Sequence, residues 1–123
     1  TDVDDLLANA KEIAGVKAVI AEVPDADADQ LRQIIDQLRR KAAPVAVMLG
    51  SRQEEDGKVL LIAGLSRDLV ERGLDAVAWI RQTAKVVGGG GGGRPDMAQA
   101  GGKFPDKLPN AMEMARTTLE QML

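Results

Sequence analysis

The chain has 123 residues with one Trp, one Phe and 45% hydrophobic residues, which suits a single domain with a modest core. It has no His and no Cys, which excludes the usual zinc sites, imidazole bases, Ser–His or Cys–His nucleophiles and any disulfide framework, and no apolar run approaches the ~18 residues of a membrane-spanning helix. Net charge is −3, but residues 1–29 hold eight of the 19 acids against Lys11 and Lys17, so the rest of the chain is weakly basic and any nucleic-acid contact is expected to be small and local.

Residues 3–14 place Val3, Leu6, Leu7, Ala10 and Ile13 on one helical stripe, with Gly15 as its stop. Residues 1–14 are therefore read as the end of a preceding helical segment, and 15–123 as the globular domain. Val16 to Val23 is β-rich and ends at Pro24. Asp27 and Gln30 have capping-box spacing, and Leu31, Ile34, Ile35, Leu38 and Ala42 continue an apolar stripe to about residue 43. The opposite side of this helix carries Arg32, Asp36, Arg39, Arg40 and Lys41, whose basic members suit the C-terminal end of the dipole. Val45 to Gly50 and Lys58 to Ala63 are two further strands around the Asp56-Gly57 turn. The expected architecture is α/β: a right-handed βαβ unit plus an antiparallel third strand, giving a mixed sheet of at least three strands packed with helices.

Ser66 opens a helix whose Leu69, Val70, Val77, Ile80, Ala84 and Val87 share a face, with Gly73 marking a break or a close contact. Trp79 lies off the centre of that face and reads as a packing residue in preference to a base-stacking one. A last amphipathic helix carries Leu108, Ala111, Met112, Ala115, Leu119 and Met122, with Met114 free to be exposed.

Between these helices lies Gly88 to Gly102, GGGGGGRPDMAQAGG. A glycine run is either a tether or a segment whose backbone approaches something closely or takes positive φ. The absence of Ser, the apolar helix directly before it, and Pro95 and Gly101 placed as start and stop of a short helix favour the second reading. A glycine loop entering a helix N-terminus is suited to phosphate. It lacks the Gly-Lys-Ser/Thr ending of a P-loop and the strand context of a dinucleotide fingerprint. Arg94 is the cation within it and can hold one phosphate bidentately. Asp96 reads as structural, stabilised in the first turn of that helix, while Gln99 either meets a nucleotide edge or ties the loop down.

Gly91-Gly92-Gly93-Arg94-Pro95-Asp96-Met97-Ala98-Gln99-Ala100-Gly101-Gly102 resembles the signature of the C-terminal domain of alanyl-tRNA synthetase, a member of the DHH-associated domain superfamily. The Gly15-Val16-Lys17, Gly57-Lys58-Val59 and Lys107-Leu108-Pro109 segments resemble it too, so the likeness spans nearly the whole chain. It implies a non-catalytic tRNA-binding module that contacts the outer corner of tRNA and links aminoacylation with editing. The implied contact set is Gly90, Gly91, Gly92, Gly93, Arg94, Asp96, Gln99, Gly101, Gly102 and Lys103. The implied partners are alanine tRNA and other domains of one parent chain, with dimerisation through the N-terminal helix. No catalytic residue, metal or cofactor is expected here, and the location is the cytoplasm without a membrane. Two alternatives stay open: the substrate-binding domain of a DHH-type phosphodiesterase, whose glycines are followed by a His that this chain lacks, and the C-terminal module of a stand-alone editing protein.

Overall fold

The computed structural model describes residues 2–123. At the N-terminus the expected 3–14 helix is cut short. Helix α1 covers Val3–Ala8 and ends at Asn9, whose backbone and side-chain N–H groups both donate to the Asp5 carbonyl. Lys11–Ile13 instead form strand β1, paired antiparallel with the first residues of β2, Val16–Glu22, in the register Ile13↔Val16. The two-residue link Ala14-Gly15 has φ of 51° and 80°, the twist a tight hairpin requires. Gly15 thus serves a turn between strands, not a helix stop. Six isolated residues make a marginal helix, and α1 is held by Val3 and Leu6, which are buried beside α2.

The crossover that follows is as expected. Helix α2, Ala28–Ala42, starts in a full capping box: the Gln30 N–H donates to Asp27 Oδ1 at 2.8 Å, and the Asp27 N–H donates to Gln30 Oε1 at 2.9 Å. It leads to β3, Val45–Gln53, parallel to β2 (Val19↔Val47). Strand β4, Lys58–Leu65, turns back antiparallel to β3 (Leu49↔Ile62).

The single helix expected after Ser66 is two. Helix α3, Arg67–Glu71, stops at Gly73 (φ 98°), and α4, Ala76–Val86, restarts with Asp75 Oδ1 accepting from the Val77 N–H at 2.9 Å. Gly73 therefore marks a break. Next come β5, Gly90–Gly93, and β6, Met97–Gly102, then a short 3₁₀ turn at Pro105–Lys107 and α5, Leu108–Met122.

The six strands form one mixed sheet in the order β1-β2-β3-β4-β6-β5. Strand periodicity sends alternate residues to opposite faces. Val47, Leu49 and Ile62 meet Leu31, Ile35 and Leu38 under α1 and α2. Met48, Leu61, Ala63 and Ala98 meet Trp79, Ile80, Ala111, Ala115 and Leu119 under α4 and α5. Trp79 is fully buried, and its indole N–H donates to the Ala115 carbonyl at 2.8 Å, so it is a packing residue and cannot stack on a base. Met114 is exposed on α5. None of the helices is long and apolar enough, among the described residues, to cross a membrane.

Candidate nucleic-acid interface

The glycine signature does not form a loop leading into a helix. Met97–Gly102 is extended, and it pairs with β4 on one side (Ile62↔Gln99) and with β5 on the other (Gly92↔Gln99). Helix propensity in Met-Ala-Gln-Ala yields to two ladders of backbone hydrogen bonds and to the burial of Ala98 and Ala100 beneath α4. With that helix absent, a dipole-based phosphate site is absent too. In its place stands a β-hairpin whose glycine strand is the outer edge of the sheet.

Along the run from Gly88 to Gly93 the glycines divide by what their backbones require. Gly88 and Gly93 have φ of 71° and 150°. A Cβ on Gly89, Gly91 or Gly93 would overlap the backbone of β6, at Gly101, at Gln99 and Ala100, and at Met97 and Ala98 respectively. Gly90 and Gly92 meet no such obstacle: a Cβ on either would project into open space. Folding accounts for the first four glycines and leaves Gly90 and Gly92 unaccounted for. Gly101 is exposed, whereas Gly102 is buried against Val87 and offers nothing to a partner.

The turn between the strands is clamped from three sides. The Ala76 N–H at the start of α4 donates to the Pro95 carbonyl at 2.8 Å. The Leu65 N–H of β4 donates to the Asp96 carbonyl at 3.0 Å, and Arg39 Nη1 of α2 reaches the same oxygen at 3.2 Å. The Asp96 carboxylate lies 3.5 Å from Arg39 on one side and 3.5 Å from Arg94 Nε on the other. Asp96 does not sit in the first turn of a helix, where its sequence context placed it; it ties the turn to α2. The Arg94 side chain is 76% exposed and meets Asp96 through its Nε.

Gln99 is a tie as well: its Oε1 accepts from Arg32 Nη2, and Arg32 Nη1 meets Asp29 at 3.1 Å. Arg32 and Arg39 are the residues that sequence reasoning missed. Both were legible only as part of a solvated helix face, yet their spacing of seven puts them on one stripe, and that stripe borders the hairpin. Arg32, Gly92, Gly93, Arg94 and Gln99 line a shallow depression of about 300 Å³ that no carboxylate lines. A larger cleft, about 770 Å³, lies between α2 and α3, but Asp36, Asp68, Glu71 and Asp96 there outnumber Arg39, Arg40 and Arg67. Of the two, the smaller has the excess of cations in its lining. Lys103, just past β6, is exposed, and its N–H is fixed to the Val87 carbonyl at 2.7 Å. No cluster of acidic side chains suited to a metal occurs among the described residues.

Residues 15–121 match the DHHA1 domain family. The chain is 50% identical over 98% of its length to an alanine–tRNA ligase of Rhodopirellula baltica, of which it covers 13%. It thus spans about an eighth of the curated relative it matches. The crystal structure of the C-Ala domain from Aquifex aeolicus alanyl-tRNA synthetase superimposes with a TM-score of 0.77 at 30% identity, covering 94% of this chain and 97% of that one. A solved DHH-domain protein, described as belonging to a family of ribosomal proteins, shares the fold alone, with a TM-score of 0.67 at 12% identity over 97% of this chain and 30% of its own.

Proposed function

Because this chain belongs to the DHHA1 domain family, as the C-terminal domain of an alanyl-tRNA synthetase, we propose that it binds tRNA at the outer corner through the β5–β6 hairpin and performs no chemistry itself. The observation that carries this reading is the pair Gly90 and Gly92. Both are glycines the fold does not need, on an exposed edge strand; Gly92 shares its depression with Arg32 and Arg94, and Gly90 lies two residues before it on the same strand. A bare backbone there lets a flat or charged group approach to van der Waals distance of the peptide planes, which any side chain would prevent. Arg94 supplies the charge-assisted hydrogen bonds through its guanidinium, and Lys103 adds a second cation beyond the strand. Gly91, Gly93 and Gly101 shape the surface, Asp96 and Gln99 orient Arg94 and Arg32, and Gly102 supports the hairpin from within.

The parent protein is on this reading a cytoplasmic alanine–tRNA ligase, in which the domain joins aminoacylation to editing through contacts with other domains of the same chain. Residues 1–14 remain on this reading the end of a preceding helical segment through which two copies would pair, although the pairing of β1 with β2 favours counting Lys11–Ile13 with the globular domain.

The test is binding of an alanine tRNA transcript measured across a salt series. Arg94→Ala is expected to weaken binding by about 1–3 kcal/mol, the worth of charge-assisted hydrogen bonds, and to reduce the salt slope by about one contact. Lys103→Ala is expected to do less. Arg40→Ala, in the cleft where acids outnumber bases, is expected to do little. Loss of affinity and slope in Arg40→Ala with neither changed in Arg94→Ala would move the RNA surface to α2.

A further inference from the structure

We propose that Phe104 is a stacking platform for a base of the bound RNA, with Lys103 and Lys107 holding the adjoining backbone; this rests on the hairpin being the RNA interface. Trp79 is fully buried, so Phe104, 49% exposed, is the one aromatic ring of this sequence that solvent can reach. Exposure alone would mean little, since single surface hydrophobes are common. What distinguishes Phe104 is how firmly it is held while remaining uncovered.

Its N–H and that of Lys103 both donate to the Val87 carbonyl, at 3.0 and 2.7 Å, and its own carbonyl accepts from the Lys107 N–H at 3.0 Å. The Cδ2–Cε2 edge of the ring rests on Gly88, where a Cβ would overlap it. The ring is thus ordered on folding, and a base stacking on it meets little further entropic cost.

Lysines flank it in the sequence. Lys103, Lys107 and Lys85 are exposed and make no ion pair among the described residues. Lys85 is joined to this site through its carbonyl, which accepts from the Gly88 N–H at 3.2 Å. Extending the Val59↔Gly102 register by one residue sets Lys58 opposite Lys103. Asp106 is the acid in the segment, with Glu54, Glu55 and Asp56 on the neighbouring β3–β4 turn. An aromatic ring among cations is the arrangement by which proteins hold an unpaired base. At about 3.4 Å per residue along β6, the ring lies roughly 20 Å from the Arg94 turn, so the two contacts should act independently.

The experiment compares Phe104→Leu and Phe104→Trp in the full 123-residue chain, with the same tRNA transcript. Leu keeps the apolar cover over Gly88 and removes the π face. It is expected to lower affinity about tenfold with an unchanged salt slope and an unchanged Tm, since stacking carries no ion release. Trp is expected to keep the affinity, and the indole it introduces should be quenched on binding while buried Trp79 is shielded. If Phe104→Leu binds normally while Arg94→Ala binds weakly, or if the new indole is unquenched, Phe104 only covers Gly88 and the platform is refuted. If the parent chain shows no salt-dependent binding, the hairpin interface fails and the platform with it.

Discussion

Gly91 and Gly92 are adjacent, identical in chemistry and on one strand, yet they answer to different demands. A methyl group on Gly91 would overlap Gln99 and Ala100 of the paired strand, and one on Gly92 would touch nothing. Gly91→Ala is therefore expected to part β5 from β6 and to destabilise the chain by about 1–3 kcal/mol, the usual range for overpacking. Gly92→Ala should leave the urea midpoint unchanged or slightly raised, because it lowers the entropy of the unfolded chain, while weakening tRNA binding by blocking approach. Stability and binding measured on both variants separate the two roles; a destabilised Gly92→Ala would remove the argument that ligand approach explains this glycine. Nothing in a run of six identical residues distinguishes these positions. The distinction exists only once the run is placed in register with β6.

The elements that were legible are those whose signals are local. Asp27 and Gln30 announced the start of α2 at capping-box spacing, and the reciprocal bonds are present. Asp27→Ala is expected to cost about 1 kcal/mol, as for other N-cap losses, read as a lower urea midpoint with unchanged slope. The β2-α2-β3 crossover and the β3–β4 hairpin followed from β-branched runs and Asp56-Gly57. The elements that were missed depend on partners far along the chain. Strand β5 has no side chains to express a β pattern, and β6 carries residues that favour helix; β6 is a strand because β4 offers an edge, and β5 because β6 then offers another. Likewise Lys11–Ile13 continued the periodicity of α1 and became a strand because Ala14-Gly15 turns it back on β2. The site suffered the same loss. Arg94 was singled out from type and context, but the ties from Arg32 to Gln99 and from Arg39 to Asp96 join residues about sixty apart in sequence.

Across the sheet, acidic residues gather at one edge and the glycine strand with Arg94 forms the other. Asp4, Asp5 and Glu12 lie on α1 and β1 at one edge, while Arg94 and the bare glycines lie at the other. The buried hydroxyls serve the backbone: Ser51 accepts from the Ala26 N–H, Ser66 accepts from the Val45 N–H and donates to Asp68, and Thr83 donates to the Trp79 carbonyl. The titrating groups displaced among the described residues are partners, Glu113 and Arg116: the hydrogen bond between them lowers the Glu113 carboxyl and raises the Arg116 guanidinium, on the exposed side of α5. Hydrolysis of an ester or phosphodiester needs an activated nucleophile or a metal-bound water with a base of suitable pKa. This chain has no His or Cys for the first role, and the described residues offer no acidic cluster for the second. The isolated chain should therefore neither aminoacylate tRNA, deacylate mischarged tRNA nor cleave short oligonucleotides, with magnesium, manganese or zinc supplied. Turnover that copurifies with the chain, exceeds a mock preparation and is lost in Arg94→Ala would show that the hairpin takes part in chemistry and would end the reading of this domain as a binding module.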